Sequence, residues 1–285
     1  MNIPSFPGKL RLVDLLGRLA GRVGGGSARF SRPAGAPFEV DLGDRIQRYM
    51  WGGCYEPHLR RCFEALLEQG DTFVDIGAHI GYHSVTTAGL VGPEGNVFAF
   101  EPDPILYKRL VRNVRHFDWV RAFPFAIWQS SGSLEFERSP FAGESGWGTL
   151  TSVRDLRRGE HVAVRTVSLD DWLEEPCHQR LRAIKIDAEG SELAILKGAG
   201  SVLQRFRPVI VLEMNDTVLR QAGSSSTALA SHLMSLDYDL FGLSRTHLEH
   251  WERRQCPHAS EVLSIPREGV ETTLDSLTRA GFCRD

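Results

Sequence analysis

Two acidic residues, each at the end of a predicted β-strand, give this 285-residue sequence its strongest chemical signal. Asp75 closes an apolar run and is followed by Gly77 and Gly81, and Glu101 closes the next apolar run. The glycines allow the backbone to approach a ligand closely. An acid on the second strand, about 20 residues after the first, suits the two hydroxyls of a ribose. The pattern therefore predicts a site for a nucleoside-bearing cofactor.

The spacing of the glycines distinguishes between two classes of cofactor. A dinucleotide site has the pattern G-x-G-x-x-G, whose glycines make room for a pyrophosphate. Here the pattern is G-x-x-x-G, with Ala78 where the second glycine would stand. Asp75 would repel a pyrophosphate, whereas it can pair with the amino group of S-adenosylmethionine, which carries no phosphate. A NAD-dependent oxidoreductase and a non-catalytic cofactor-fold binding module remain the alternatives.

Composition excludes several classes of partner. The net charge of −3 provides no electrostatic footprint for nucleic acid. No apolar run reaches about 18 residues, so stable membrane insertion is not expected. The five cysteines are odd in number and widely scattered, which favours a reduced, cytoplasmic protein. The oligomeric state cannot be derived from the sequence.

The chain divides at about residue 50. Residues 1–50 are predicted to be an extension with a basic amphipathic helix, which would pack on the domain or touch a membrane surface, and a flexible joint over residues 21–37. Residues 51–285 alternate between strands and helices, as in one doubly wound α/β domain. The third strand is predicted over residues 121–128, with 133–137 as its hairpin partner. Residues 139–151, here called the glycine-rich loop, are predicted to be a long functional loop.

Four motifs stand in order along the chain: V-D-I-G-A-H-I-G-Y from Val74, F-A-F-E-P from Phe98, I-K-I-D-A-E-G-S-E from Ile184 and R-P-V-I-V-L-E from Arg207. Together they resemble the FkbM family of S-adenosylmethionine-dependent methyltransferases. The third motif, with the pattern K-I-D-x-E-G-x-E, is the most specific. The resemblance covers roughly residues 55 to 215.

The resemblance implies a Rossmann-like class I methyltransferase fold, a seven-stranded and mostly parallel sheet with helices on both faces. It also implies O-methylation of a hydroxyl on a small natural product, a sugar or a glycolipid. Asp75, Gly77 and Gly81 would hold the methionine end of the cofactor, and Glu101 the ribose. The segment 125–127, with Ala126 at its centre, would lie against the adenine. Further residues of the cofactor loops complete the predicted site: Ala78, His79, Tyr82 and Pro102.

One position departs from the family. The family usually has Asn where this chain has His79, and a neutral hydrogen-bonding role for His79 is favoured over a new titratable function. Asp187 follows the strand of the third motif and is expected to face the crevice where donor and acceptor meet. It is therefore the best candidate for a general base, with His79, His83 and His161 as alternatives. In a second mechanism, Asp187 and Glu213 bind a divalent cation that lowers the pKa of the acceptor hydroxyl.

Overall fold

The structure is a computed structural model that describes residues 8–23, 26–31, 34–153, 159–172, 180–251 and 261–284. Its helices are α1 Lys9–Val23, α2 Arg45–Trp51, α3 Pro57–Leu66, α4 Tyr82–Val91, α5 Pro104–Val114, α6 Leu169–Trp172, α7 Glu192–Lys197, α8 Gly200–Phe206, α9 Asp216–Gln221, α10 Ser226–Ser235 and α11 Val270–Arg279. Its strands are β1 Ser27–Ser31, β2 Pro37–Asp41, β3 Thr72–Ile76, β4 Asn96–Phe100, β5 Val120–Phe123, β6 Ala126–Ile127, β7 Gly132–Glu137, β8 Thr149–Leu150, β9 His161–Val167, β10 Leu181–Ile186, β11 Val209–Glu213, β12 Tyr238–Leu243, β13 His247–His250, β14 Glu261–Pro266 and β15 Cys283–Arg284.

The main sheet contains the seven strands that the sequence predicts for a class I methyltransferase fold. Their spatial order is β5-β4-β3-β10-β11-β14-β12, and all neighbours are parallel except β14, which runs antiparallel to β11 and β12. Two short strands that the sequence did not predict, β13 and β15, extend the edge beyond β12. The strand order reverses between β3 and β10, and such a switch point opens a crevice at the carboxyl ends of the strands.

Both faces of the main sheet are covered by helices, because its strands are apolar on both sides. All five residues of β3 are buried. Phe73 packs into one core with α3, α4 and α5, whereas its neighbour Val74 packs into a second core with α7, α8 and α10. This packing fixes the position of β3 between the two layers, and with it the position of the turn that follows.

The predicted third strand is wrong in its extent and in its pairing. The structure divides residues 121–128 into β5, which joins the main sheet, and β6, which joins a second sheet of order β6-β9-β7-β8. Pro124 lies at the break, where it cannot donate a ladder hydrogen bond. The predicted hairpin partner, β7, pairs with β9 and β8 instead. The second sheet stands beside the crevice and contributes to its wall.

The N-terminal extension is more ordered than the sequence indicates. The predicted flexible joint contains β1, which forms an antiparallel hairpin with β2. Asn113 of α5 attaches this hairpin to the domain, since its side chain accepts the N–H of Glu39 and donates to the carbonyl of Ile80. Residue 50 lies inside helix α2, and the domain boundary predicted at that residue stays a prediction.

Within the described ranges, no helix is both long and apolar enough to cross a bilayer. Cys54, Cys62 and Cys283 have free thiols, and Cys177 and Cys256 lie outside the described residues.

Candidate active site

A cavity of about 280 Å³ lies at the carboxyl ends of β3, β4 and β10, where the strand order reverses. It brings together most of the residues that the sequence predicts for the site. Asp75, Gly81 and His161 do not line it. The predicted residues on its wall are Gly77, Ala78, His79, Tyr82, His83, Glu101, Pro102, Ala126, Asp187 and Glu213.

The backbone N–H groups of the turn after β3 are hydrogen-bonded to acceptors within the protein. The N–H groups of Gly77 and Ala78 both donate to the carbonyl of Phe100, at 3.0 and 2.9 Å. The N–H of His79 donates to Glu101 Oε2 at 2.8 Å. A pyrophosphate site needs free amides in such a turn. Because all three amides are already engaged, this turn does not provide a pyrophosphate cradle.

Glu101 is held rigidly at the end of β4. Its Oε1 accepts the N–H of Asp103 and its Oε2 that of His79, both at 2.8 Å. Each carboxylate oxygen has a second acceptor position, so the group can still accept hydrogen bonds from hydroxyls in the cavity. Burial raises the pKa of Glu101 to about 8, although the two backbone hydrogen bonds oppose this rise. Both oxygens already have one partner, and their remaining acceptor positions suit a ligand with hydroxyl donors.

Asp75 lies beneath the cavity wall. Its Oδ2 accepts a hydrogen bond from Ser84 at 2.6 Å, and its Oδ1 has no hydrogen-bond partner in the described residues but lies 3.9 Å from Lys185 Nζ. Lys185 also donates to Asp187 Oδ2 at 3.1 Å. Burial alone would lower the pKa of Lys185, but the negative charges of Asp187 and Asp75 outweigh it and the pKa is raised. Lys185 therefore remains a cation between the two acids.

The sequence placed Lys185 only within the third motif. In β10 Lys185 is buried, whereas Arg182, the other charged residue of the strand, is exposed. A charge at such a position is rarely kept unless it is paired. Glu56 and Tyr55 also line the cavity. Neither belongs to a recognisable motif, so the sequence could not identify them.

The two glycines of the first motif are required by packing. A Cβ at Gly77, where φ is +78°, would collide with the backbone carbonyl of Asp187. A Cβ at Gly81, where φ is +88°, would meet Leu110 Cδ1 at 2.7 Å. Gly77 thus allows β3 and β10 to end side by side, and Gly81 allows α4 to pack against α5. Gly77 also lines the cavity, whereas Gly81 does not, and the part of both in holding the cofactor stays a prediction.

Three carboxylates on the cavity wall converge. Asp187, Glu189 and Glu213 each place one oxygen within 4.8 Å of the others. Asp187 and Glu213 are the two cation ligands that the sequence predicts, and Glu189 is a third acid beside them. Burial, followed by the charges of Asp187 and Glu189, raises the pKa of Glu213. The arrangement can therefore hold a proton or a hard cation.

Two of the three candidate histidines reach the cavity. His79 Nε2 lies 2.6 Å from Ser145 Oγ, and burial lowers the pKa of His79, which keeps the ring neutral. His83 Nε2 lies 2.6 Å from Glu56 Oε2. His161 lies away from the cavity, where its Nδ1 is 3.0 Å from Glu135 in the second sheet. His161 is therefore excluded as a base, and the neutral ring of His79 agrees with a hydrogen-bonding role.

The glycine-rich loop covers one side of the cavity, with Ser145 to Leu150 on its wall. The N–H of Ser145 donates to Asp44 Oδ2 at 2.7 Å, and Gly143 accepts the N–H of Arg45 at 2.8 Å. Trp147 Nε1 donates to Glu144 Oε2 at 3.2 Å within the same loop. The N-terminal segment and His79 together hold this loop over the cavity. Phe125, Ala126 and Ile127, the residues expected at the adenine, line the same cavity.

Comparison with known proteins agrees with this architecture. Residues 75–240 match the family described as the methyltransferase FkbM domain. The chain is 33% identical over 145 residues to a hexuronic acid methyltransferase, AglP, of Haloferax volcanii, covering 50% of this chain and 56% of the relative. It is 28% identical over 191 residues to a 2-O-methyltransferase, NoeI, of Sinorhizobium fredii, covering 63% of this chain and 78% of the relative.

A solved structure also resembles the chain. It is the crystal structure of a methyltransferase FkbM from Methylobacillus flagellatus, with 18% identity and a TM-score of 0.45. The match covers 71% of this chain and 47% of that one. The present chain thus spans little more than half the length of the archaeal relative and less than half that of the solved protein.

Proposed function

The chain belongs to the family of FkbM methyltransferase domains, and on that premise we propose that it transfers the methyl group of S-adenosylmethionine to a hydroxyl of a sugar. The choice of acceptor rests on the relatives: AglP is named for a hexuronic acid and NoeI for a 2-O position. A small natural product or a glycolipid with a sugar-like hydroxyl belongs to the same acceptor class.

The observation that carries the proposal is the geometry of the turn and of Glu101. The cavity presents a buried carboxylate, fixed by two amides, at the end of the second strand. The amides of Gly77 and Ala78 are already bonded to Phe100. A ligand with a ribose and no pyrophosphate satisfies both features, and S-adenosylmethionine is such a ligand. A dinucleotide satisfies only the first, which argues against the NAD-dependent oxidoreductase.

The residues on the cavity wall fit the parts of this cofactor. Glu101 would accept the ribose hydroxyls, and Ala126 with its neighbours would contact the adenine. Asp75 would act on the methionine end from beneath the wall, through its Oδ1 and through Lys185. When bound, the cofactor supplies a methyl group that is already activated by a sulfonium. The protein then has to align the acceptor and remove its proton.

Asp187 is the carboxylate that we assign to proton removal. It lines the cavity at the end of β10, and its side chain is 28% exposed, so a hydroxyl can reach it. Lys185 donates a hydrogen bond to Asp187 Oδ2 at 3.1 Å, which holds the carboxylate in place beside the cavity. Asp187 would accept the proton of the acceptor hydroxyl as the sulfur–methyl bond breaks and the oxygen–methyl bond forms. His83 and its partner Glu56 line the same cavity and are the remaining alternative.

The convergence of Asp187, Glu189 and Glu213 favours a second route to the same product. There a divalent cation would bind the acceptor hydroxyl and lower its pKa. The two routes differ in one measurable property. Only the second makes turnover sensitive to EDTA and restores it with Mg²⁺.

The proposal is tested by incubating the protein with methyl-labelled S-adenosylmethionine and a panel of acceptors. The panel contains hexuronic acids, neutral sugars, phenols and aliphatic alcohols, each assayed with and without EDTA. We expect label on a sugar oxygen, located by fragmentation of the product. Label on nitrogen or carbon would contradict the proposal, and so would label on phenols alone. Any transfer excludes the non-catalytic binding module.

A further inference from the structure

Helix α1 is held against the protein by one face only. Val13 is fully buried, and it lies so close to Gly52 that a Cβ at that glycine would collide with it. Gly17, one turn later, lies against the side chain of Arg48 in the same way. Because these contacts leave no room for side chains to shift, they fix which face of α1 is turned inward.

The opposite face of α1 presents leucines to solvent. Leu12, Leu15 and Leu19 are 38%, 56% and 47% exposed, and their spacing of three and four residues puts them on one stripe. Leu10, in the first turn, is 40% exposed but lies off this stripe, because two residues of helix turn it about 200° away from Leu12. The described residues contain seven exposed large hydrophobic side chains, and four of them are on this helix. An apolar surface concentrated in this way marks an interaction site.

Basic residues flank the leucine stripe. Arg11, Arg18 and Arg22 recur at intervals of seven and four, which places them along one side of the stripe. Asp14 is the only acid in the helix, and its two oxygens are bonded to Arg48 at 2.8 Å and to Arg18 at 2.9 Å. The helix is thus positively charged although the whole chain carries −3. The binding partner of α1 should therefore have an apolar interior and a negatively charged surface.

We propose that α1 docks the protein on an anionic lipid bilayer, with the leucine stripe among the acyl chains and the arginines at the headgroups. A bilayer is the partner that combines an apolar interior with a negatively charged surface. The 15 residues of α1 are too few to span it, since a spanning helix needs about 20, so the helix lies along the interface. This docking is independent of the reaction proposed for the cavity.

The docked orientation brings the cavity loop to the lipid surface. A groove beside α1 is lined by Arg18 and Arg22 from the helix and by Gly143 and Glu144 from the glycine-rich loop. The loop carries its own exposed aromatic residue, Phe141, which is 47% exposed. Helix and loop are therefore neighbours on the surface, and the loop continues directly into the cavity wall at Ser145.

The test is co-sedimentation of the whole chain with vesicles. One set contains equal parts of phosphatidylglycerol and phosphatidylcholine, and the other contains phosphatidylcholine alone. We expect binding to the anionic set only, weakened when the salt concentration is raised, because salt screens the arginines. A protein that stays in the supernatant with anionic vesicles overturns the proposal, and so does equal binding to both sets.

A matched pair of variants locates the surface. Leu15→Glu with Leu19→Glu should reduce binding to anionic vesicles roughly tenfold or more, because two exposed leucines that would enter the acyl chains are replaced by charges that the anionic headgroups repel. Ile105→Glu with Val111→Glu changes two exposed apolar residues of α5 in the same way and should leave vesicle binding intact. Thermal unfolding checks that both variants fold. Equal loss in the two variants would overturn the proposal. Sedimentation showing a wild-type dimer that the α1 variant abolishes would assign the stripe to a second copy instead.

Discussion

The proposed chemistry rests on two carboxylates with opposite surroundings. Glu101 is 5% exposed and bonded to backbone amides, whereas Asp187 is partly exposed and paired with the cation Lys185. Desolvation raises the pKa of Glu101, whereas Asp187 is open to the cavity and hydrogen-bonded to Lys185. One acid is therefore suited to binding hydroxyls and the other to accepting a proton.

Replacing Asp187 should separate catalysis from cofactor binding. Asp187→Asn keeps the size of the side chain and a partner for Lys185, so the affinity for S-adenosylmethionine should be retained. The rate of methyl transfer should fall by roughly 10²-fold or more, the usual scale for losing acid–base help. Single-turnover transfer and calorimetry on the same preparation measure the two quantities.

A normal rate in Asp187→Asn would make Asp187 structural and shift the search to His83. Assaying the wild type with and without EDTA distinguishes direct proton transfer from the cation mechanism. Loss of turnover in EDTA that Mg²⁺ restores would assign Asp187, with Glu189 and Glu213, to a cation. Turnover that is insensitive to EDTA would leave direct proton transfer to Asp187.

Glu101 predicts a pH dependence of cofactor binding. Its pKa is raised to about 8, and ribose hydroxyls that donate to it favour the ionised form, so binding should release a proton. Affinity should therefore rise from about pH 6 to about pH 8 and level off above that. Glu101→Gln cannot ionise and should weaken binding by roughly tenfold at about pH 8, with little dependence on pH. If the affinity of Glu101→Gln for the cofactor changes with pH as steeply as that of the wild type, the titrating group is not Glu101.

Most of the residues that the sequence predicts for the site line one cavity, but the sequence did not predict their contacts. Asp75, Glu101 and Asp187 all end strands of the main sheet, as the apolar runs before them require. The reason for Gly81 could not be derived, because it depends on Leu110, a residue of a helix that packs there only in the folded chain. The ion pair of Lys185 with Asp75 could not be derived either, because the two residues become neighbours only when β3 and β10 pair.

At the scale of elements, the glycine-rich loop is a lid held by a few hydrogen bonds. Its Ser145 contacts His79 through the side chain and Asp44 through the backbone. The sequence identified this segment as a functional loop because it lacks periodicity and is rich in glycine. It could not show that the N-terminal extension holds the loop, because that contact joins residues about 100 positions apart in sequence.

Removing the side-chain bond of Ser145 should loosen the lid without destabilising the protein. Ser145→Ala loses the 2.6 Å bond to His79 and the long 3.5 Å bond from Gln47. The loss is worth about 1 kcal/mol, so S-adenosylhomocysteine should dissociate several-fold faster. The melting temperature should stay close to that of the wild type, since the loop is outside both main cores. Stopped-flow measurement of dissociation, with Ser235→Ala on α10 as the control, provides the comparison. Equal dissociation rates in all three proteins would show that the loop does not gate the cavity.

Other elements were mispredicted for local reasons. Residues 121–128 look continuous in hydrophobicity, and only the geometry around Pro124 separates β5 from β6. The strands β13 and β15 are short and largely exposed, so they carry no apolar alternation by which to recognise them. The seven central strands were predictable because burial on both faces makes each of them an apolar run.

At the scale of the whole molecule, buried acids make stability depend on pH. Burial raises the pKa of Glu101 to about 8 and that of Glu192 to about 7, from an ordinary value of 4.5. Between about pH 4.5 and about pH 8, the folded state therefore binds more protons than the unfolded state. The stability contributed by these groups is fully present below about pH 4.5 and is lost as the pH rises towards about 8.

Calorimetric melting of the ligand-free protein should show this loss. We expect the melting temperature to fall between about pH 5 and about pH 8, and Glu192→Gln to make the fall shallower by removing one of the titrating groups. Glu192 is a suitable choice because it lies outside the cavity wall, where its Oε1 accepts the amides of Ala188 and Gly190. A melting temperature that rises over this window would contradict the assignment.

The central claim is that the cavity binds S-adenosylmethionine through Glu101, and calorimetric titration tests it without knowledge of the acceptor. The wild type should bind S-adenosylmethionine and show no heat of binding with NAD. Glu101→Ala should weaken the binding by about 1–3 kcal/mol, the cost of leaving ribose hydroxyls unpaired in a closed site. Binding of NAD without binding of S-adenosylmethionine, or an unchanged affinity in Glu101→Ala, would contradict the account.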